Sequence, residues 1–259
     1  TGKLGQLTVL EHPDDLVPKD PQLILERLIR DRETFDTNGN RLQVTGTISL
    51  LEARYIQDLI IENDFRTCVE TGVAYGASTV AICSALSALE GKGEVVKHHG
   101  VDPCQLQVYG GAAMAALQEC GLDHIFQLHE GPGHLMLPKL IERGVAVDFA
   151  FIDGMHTFDY TMIDLFFCDK LLRPGGIMCV HDMNMPGKKK ALSYLMKYRE
   201  YVRLESVKKP FSKRAGSALK EALRLAPTQS LNYLITIEPM LTLKKVSSFE
   251  PGWDFYARV

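Results

Sequence analysis

From about residue 48 onward, short apolar runs rich in β-branched residues alternate with longer stretches whose apolar positions recur every three or four residues. This is the pattern of strands alternating with helices. SLLEARYIQDLIIEND (49–64) predicts a helix with Thr47 or Ser49 as N-cap, and RTCVETG (66–72) a first strand. A glycine loop then leads into a helix, STVAICSALSAL (78–89). EVVKHHGVD, HIFQLHEG, VDFAFIDG and GGIMCVHD predict four more strands, separated by helices in YGGAAMAALQECG, PKLIERG (138–144) and TFDYTMIDLFFCDKLL. Five strands alternating with helices predict a parallel, doubly wound α/β sheet. A helix in KKKALSYLMKYREY and a terminal hairpin from VRLESV and LNYLITI would bring it to seven mostly parallel strands with helices on both faces. The Lys- and Arg-rich stretch at about 208–230 reads as an inserted helical segment. Residues 1–45 mix Pro13, Pro18 and Pro21 with charges around one short amphipathic piece, LILERLIR, and read as an arm or cap on a domain spanning 46–259.

Composition narrows the class. The 259 residues are 46% hydrophobic and 24% charged, which suits one domain with a sizeable core. A formal charge of -3 provides no broad attraction for nucleic acid or acidic membranes. Lysines 188–190 and the run KKPFSKR accordingly read as solvated surface. The six cysteines are scattered, without the spacing of a zinc or redox motif, and suit buried thiols in a reducing compartment. Histidines 98, 99, 124, 129 and 134 likewise lack zinc-ligand spacing. No apolar stretch is long enough to cross a bilayer, and TGKLGQLTVLEHPDD has no charged leader followed by an apolar stretch. The expectation is a cytoplasmic protein without nucleic-acid or membrane partners.

In an open α/β sheet, ligands bind beyond the carboxyl ends of the strands. The first strand closes on Glu70, Thr71 and Gly72, followed by Val73, Ala74, Tyr75, Gly76, Ala77 and Ser78. Two glycines let the backbone turn and approach a ligand, and the following helix offers free N–H groups. The loop lacks both the G-x-G-x-x-G of dinucleotide sites and Walker A spacing; it places a carboxylate before the glycines, which suits an ammonium-bearing ligand. The second strand closes on Asp102 before Pro103, where an acid can accept both hydroxyls of a ribose. Either acid alone is readable as a cap or turn residue, so it is the pairing that matters.

With that pair and loop, residues 48–240 resemble the class I S-adenosylmethionine-dependent methyltransferases, with their Rossmann-like fold. The resemblance implies that Glu70, Gly72 and Gly76 form the methionine side of the cofactor pocket and that Asp102 holds the ribose. Thr71, Tyr75, Ser78 and Asp153 would complete the wall, and the loop Glu130, Gly131, Pro132 would flank adenine.

The fourth and fifth strands close on FIDGMH and VHDMN, bringing Asp153, His156, His181 and Asp182 to one rim. Such a set can bind a divalent cation or deprotonate a hydroxyl; equally, both acids can serve as helix caps. The stretch from FIDGMH to CVHD resembles the small-molecule O-methyltransferases of the macrolide-sugar and, more distantly, catechol type. By that resemblance Asp153, His181 and Asp182 are metal ligands, magnesium being the usual ion, and His156 is the base, with Asp153 and Asp182 positioning the acceptor. The family ordinarily carries an acid or amide where this chain has His181, and imidazole suits magnesium poorly. The acceptor implied is a hydroxylated small molecule. The rivals are a non-catalytic S-adenosylmethionine-binding protein and an amine or nucleobase methyltransferase, although the latter's N/D-P-P-Y tip is missing. An arm of the kind at 1–45 often packs on a neighbouring subunit, so a homo-oligomer is an open expectation.

Overall fold

The computed structural model describes residues 18–91, 95–204 and 239–252. Its first elements are α1 (Pro21–Glu26), which widens into a π turn over Arg27–Asp31, and a hairpin of β1 (Glu33–Phe35) and β2 (Arg41–Gln43). The alternating part follows: α2 (Leu50–Glu62), β3 (Thr67–Thr71), α3 (Ala77–Ser87), β4 (Lys97–Asp102), α4 (Ala112–Glu119), β5 (Phe126–Glu130) and α5 (Gly133–Glu142). β6 (Val147–Ile152), α6 (Phe158–Leu171), β7 (Leu172–His181), α7 (Pro186–Tyr198), β8 (Tyr201–Leu204) and β9 (Met240–Lys245) complete it.

The main sheet has seven strands in the order β5-β4-β3-β6-β7-β9-β8. β3 to β7 are parallel, and β9 runs antiparallel to both its neighbours. The order reverses between β3 and β6, which opens a crevice at the carboxyl ends of these two strands.

Strand alternation divides the core in two, as the period of two requires. Cys68, Phe149, Phe151, Ile177 and Cys179 face α1 to α4, whereas Val69, Ala150, Ile152, Met178 and Val180 face α5 to α7. Phe149 and Phe151 are fully buried, and each such side chain contributes about 1.5–3 kcal/mol of transfer free energy. Ile24, Leu25, Leu28 and Val44 join the first of these cores, so the described part of the arm packs as tightly as the helices. Arg27 donates to both carboxylate oxygens of Glu119, at 2.9 and 2.6 Å, tying the arm to α4.

Several predicted boundaries move. The hairpin β1–β2 was not foreseen, because three-residue strands of mixed polarity carry no periodicity. α5 begins at Gly133, not Pro138; the proline lies inside the helix. Lys188 is a correction: it is 1% exposed, its ammonium turned into the protein among backbone and carboxylate oxygens. LNYLITI, KKPFSKR and the 208–230 segment lie outside the described residues, and the strand that pairs with β8 is β9. No described helix is long and apolar enough to cross a membrane. All six cysteines are free, five of them buried.

Candidate active site

A cavity of about 700 Å³ opens where β3, β4, β6 and β7 end. Its floor is the loop after β3. Gly72 there has φ +84°, and a Cβ on it would lie 2.3 Å from the Asp153 carbonyl oxygen, so only glycine fits. Gly76, at φ +89°, starts α3 and packs against Ala113. Ala74 is held at φ 46° without being glycine. What holds it is a pair of contacts: its N–H donates to Asp102 Oδ2 at 2.9 Å, and its carbonyl accepts from Gln105 Nε2 at 2.8 Å.

Asp102 is 4% exposed and accepts from the N–H groups of Val73, Ala74 and Cys104 at 2.9, 2.9 and 2.7 Å. A carboxylate offers about four lone-pair directions, so this acid, which lines the cavity, retains capacity for one ligand hydroxyl. Glu70 behaves differently. It is fully buried outside the cavity wall, where Ser78 and Thr79 donate to it and His98 Nε2 lies at 3.2 Å. Its work is to lock the first turn of α3 beneath the loop, so the expected ammonium contact is corrected to a supporting role. Thr71, Tyr75 and Ser78 line the cavity. At the far wall Pro132 and Gly133 face it, and Gly131 lies against Met136 instead.

Four residues from other elements complete the site without having been expected. Tyr109 meets Tyr75 edge-on, ring centroids 5.0 Å apart. Gln105, fully buried, pins the loop through Ala74. Asp164 of α6 lines the cavity under Gly133 and Gly154, and burial pushes its carboxyl up to about 6 against the opposing Lys188 ammonium. Glu52 of α2 forms a capping box with Ser49, a motif legible in the sequence as S-x-x-E but signalling only a helix start.

The raised carboxyl of Asp164 has a thermodynamic consequence. Its pKa moves from 3.8 to about 6, so the folded state holds this proton more tightly than the unfolded one. Stability is unaffected below pH 4 and falls as pH rises towards 6, by roughly 3 kcal/mol for a two-unit shift. Asp164→Asn is therefore expected to stabilise the fold at pH 7.5 by up to that amount and to leave it unchanged near pH 4. Urea unfolding at both pH values measures the difference; an equal effect at both would refute the assignment.

The rim brings the predicted cluster together. His156 Nε2 lies 3.5 Å from Asp182 Oδ2. Burial, helped by Lys188, holds this imidazole below its ordinary 6.5 despite Asp153 and Asp182. His181 Nδ1 is 3.2 Å from Asp153 Oδ2 and 3.7 Å from Asp182 Oδ1. Behind the ring, Nε2 is 3.3 Å from Glu52 Oε1. Burial favours neutral His181, but Asp153 and Glu52 outweigh it and raise the imidazole to about 10. Lys188 Nζ donates to Asp153 Oδ1 at 3.3 Å and to the His181 carbonyl at 3.0 Å. Asp182 itself sits at φ 53°, a left-handed conformation that asparagine and aspartate tolerate better than most residues.

A family described as a methyltransferase domain matches residues 69–183, the span that holds the glycine loop, Asp102 and the rim cluster. No curated protein matches the chain significantly. Among solved structures, the O-methyltransferase from Bacillus cereus in complex with SAH superposes with TM-score 0.58 at 16% identity, covering 75% of this chain and 88% of that one. Cofactor-bound Rv0187 from MTB gives 0.59 at 14% identity, covering 90% and 93%. The O-methyltransferase TomG from Streptomyces achromogenes, involved in tomaymycin synthesis and bound to SAM, gives 0.57 at 17%, covering 90% and 92%. At such identities the likeness is one of fold, and the fold is that of the Rossmann-like methyltransferases.

Proposed function

We propose that this chain is a class I S-adenosylmethionine-dependent methyltransferase that methylates a hydroxyl group of a small molecule, with His156 as the base. The observation that carries this reading is one juxtaposition: an imidazole at the mouth of the cofactor-sized cavity, 3.5 Å from the Asp182 carboxylate. The sulfonium end of the cofactor would lie over the glycine loop, with its ribose at Asp102 and its adenine between the loops at 132–133 and 153–155.

Bound S-adenosylmethionine would supply the methyl group, its S–C bond breaking as the acceptor's C–O bond forms and the electron pair of the broken bond staying on sulfur. The hydroxyl proton passes to His156, whose imidazolium is stabilised by Asp182. Lys188 holds Asp153 and the backbone of His181 in place, so the rim is preformed. A divalent cation, magnesium by the family resemblance, would be held by Asp153, His181 and Asp182. It would lower the pKa of the acceptor hydroxyl. The donor set fits a cation: the relevant atoms of these three residues lie within 4.8 Å of one another, and buried His181 Nδ1 has no aligned hydrogen-bond partner.

His156→Ala is expected to lower turnover with S-adenosylmethionine and a panel of phenolic and sugar alcohols by about 10²–10⁴-fold. Its affinity for S-adenosylhomocysteine, read by calorimetry, should stay within about two-fold of the parent. Unchanged turnover in the variant would remove His156 as base. Absence of turnover in the parent on every alcohol, with amines accepted, would move the chemistry to nitrogen.

A further inference from the structure

Three carboxylates, Glu52, Asp153 and Asp182, converge on the His181 ring, and one ammonium, that of Lys188, answers them. Two atoms in this group are buried without an aligned hydrogen bond: His181 Nδ1 and Glu52 Oε1. His181 is 7% exposed and Glu52 4% exposed, so water cannot readily make up the deficit. Glu52 Oε1 has His181 Nε2 at 3.3 Å, so the atom in want of a partner is Nδ1, and a buried polar atom left unpaired is costly.

The positions of the two atoms say what that partner is. Glu52 Oε1 stands 3.3 Å behind Nε2, on the side away from the cavity, and Oε2 is held by the Ser49 N–H at 2.7 Å and hydroxyl at 2.8 Å. The carboxylate is therefore fixed, and it keeps a proton on Nε2. Nδ1 faces Asp153 Oδ2 at 3.2 Å and Asp182 Oδ1 at 3.7 Å. A positive centre belongs among these three atoms: a proton on Nδ1 serves in the metal-free ring, and a cation held by all three can replace it. Ligand atoms about 2.1 Å from one ion are about 3.0 Å apart at right angles and roughly 3.4 Å apart in a tetrahedron. The two spacings from His181 need only small adjustments to meet either geometry, and the two aspartate oxygens lie within 4.8 Å of each other. A carboxylate that holds the outer nitrogen of a metal-bound histidine is a recurrent device for fixing its tautomer and raising its basicity.

We propose that this rim selects a first-row transition-metal dication of the Mn²⁺, Co²⁺ or Zn²⁺ kind over Mg²⁺, through His181 Nδ1, and that Glu52 is the positioning residue that makes His181 a ligand. This rests on the methyltransferase reading for the location of the site but not for its chemistry. Mg²⁺ demands oxygen donors and releases water reluctantly, whereas imidazole raises affinity for the transition metals. The nitrogen therefore biases the choice, and the two aspartates supply the charge for any dication. Ligands bind deprotonated, so uptake displaces whatever proton Nδ1 carries.

The test uses the full chain saturated with S-adenosylhomocysteine, titrated with Co²⁺ and separately with Mg²⁺ by calorimetry, with the visible absorption of Co²⁺ followed in parallel. One Co²⁺ per chain is expected, with ligand-field bands, and Mg²⁺ should bind at least about 100-fold more weakly. Glu52→Gln keeps the capping box, since glutamine serves in that position. It should weaken Co²⁺ binding by about 10–100-fold and alter the bands, while leaving S-adenosylhomocysteine affinity intact as proof of folding. His181→Asp should narrow or reverse the preference by restoring an all-oxygen set. Equal affinity for Mg²⁺ and Co²⁺, or no cation bound by protein that still binds S-adenosylhomocysteine, overturns the selectivity. An unchanged Co²⁺ spectrum and affinity in Glu52→Gln overturns the role of Glu52. Failure of the parent chain to bind S-adenosylhomocysteine strikes the methyltransferase reading instead.

Discussion

Gly72→Ala is expected to abolish cofactor binding and to destabilise the fold by about 3 kcal/mol or more. Two independent costs meet at this position. The backbone is at φ +84°, which an L side chain rarely adopts, and a Cβ would stand 2.3 Å from the carbonyl oxygen of Asp153 and 2.6 Å from its carbonyl carbon. The obstacle is backbone, not the end of a flexible side chain, so β3 and β6 would have to part. They cannot do so locally, because Asp153 N–H donates to Thr71 O at 2.9 Å and Gly72 N–H to Val101 O at 3.0 Å, joining the ends of three strands. Chemical denaturation and S-adenosylhomocysteine calorimetry read the two effects separately. A variant with parental stability and affinity would show that the loop does not need its left-handed glycine. Gly39, whose missing Cβ would meet nothing within 4 Å, is the control for strain without a clash.

Asp102→Ala is expected to weaken S-adenosylhomocysteine binding by at least about 100-fold and to cost roughly 3–5 kcal/mol of stability. The variant leaves the N–H groups of Val73, Ala74 and Cys104 without their acceptor in a site that is 4% exposed at the carboxylate. Hydrogen bonds to a charged acceptor contribute about 1.5–3 kcal/mol each, and orphaned buried donors cost more than an unmade bond. Ala74, held at φ 46° partly by this carboxylate, would be free to relax and take the cofactor wall with it. A binding loss without any stability loss would mean that Asp102 serves the ligand alone. A stability loss with unchanged affinity would mean that it serves only the loop.

The two acids that pointed most directly to the cofactor turned out to be partly or wholly occupied with the protein. Asp102 lines the cavity and braces the loop at once, while Glu70 braces α3 from below. An acid at a strand end reads the same in one dimension whether its oxygens point at a ligand or at the next helix. The choice is made by where Ser78, Thr79 and His98 come to rest, and His98 arrives from a neighbouring strand. Lys188 shows the same limit. In a run of three lysines nothing marks the first as buried, yet the register of α7 turns it toward Asp153 while Lys190 is exposed.

The alternation of strands and helices, the positions where strands end, and the meeting of Asp153, His156, His181 and Asp182 at one rim were determined by local sequence. A parallel strand is a buried apolar run, and its carboxyl end must lie on the crevice side of the sheet. The tertiary structure alone decided that β9 inserts between β7 and β8, that a hairpin of two three-residue strands follows α1, and that Glu52, Gln105, Tyr109 and Asp164 belong to the site. Those residues come from α2, the loop after β4 and α6, and each is unremarkable within its own segment. Periodicity reports which face of an element is buried; only packing between elements distant in the chain reports what that face meets.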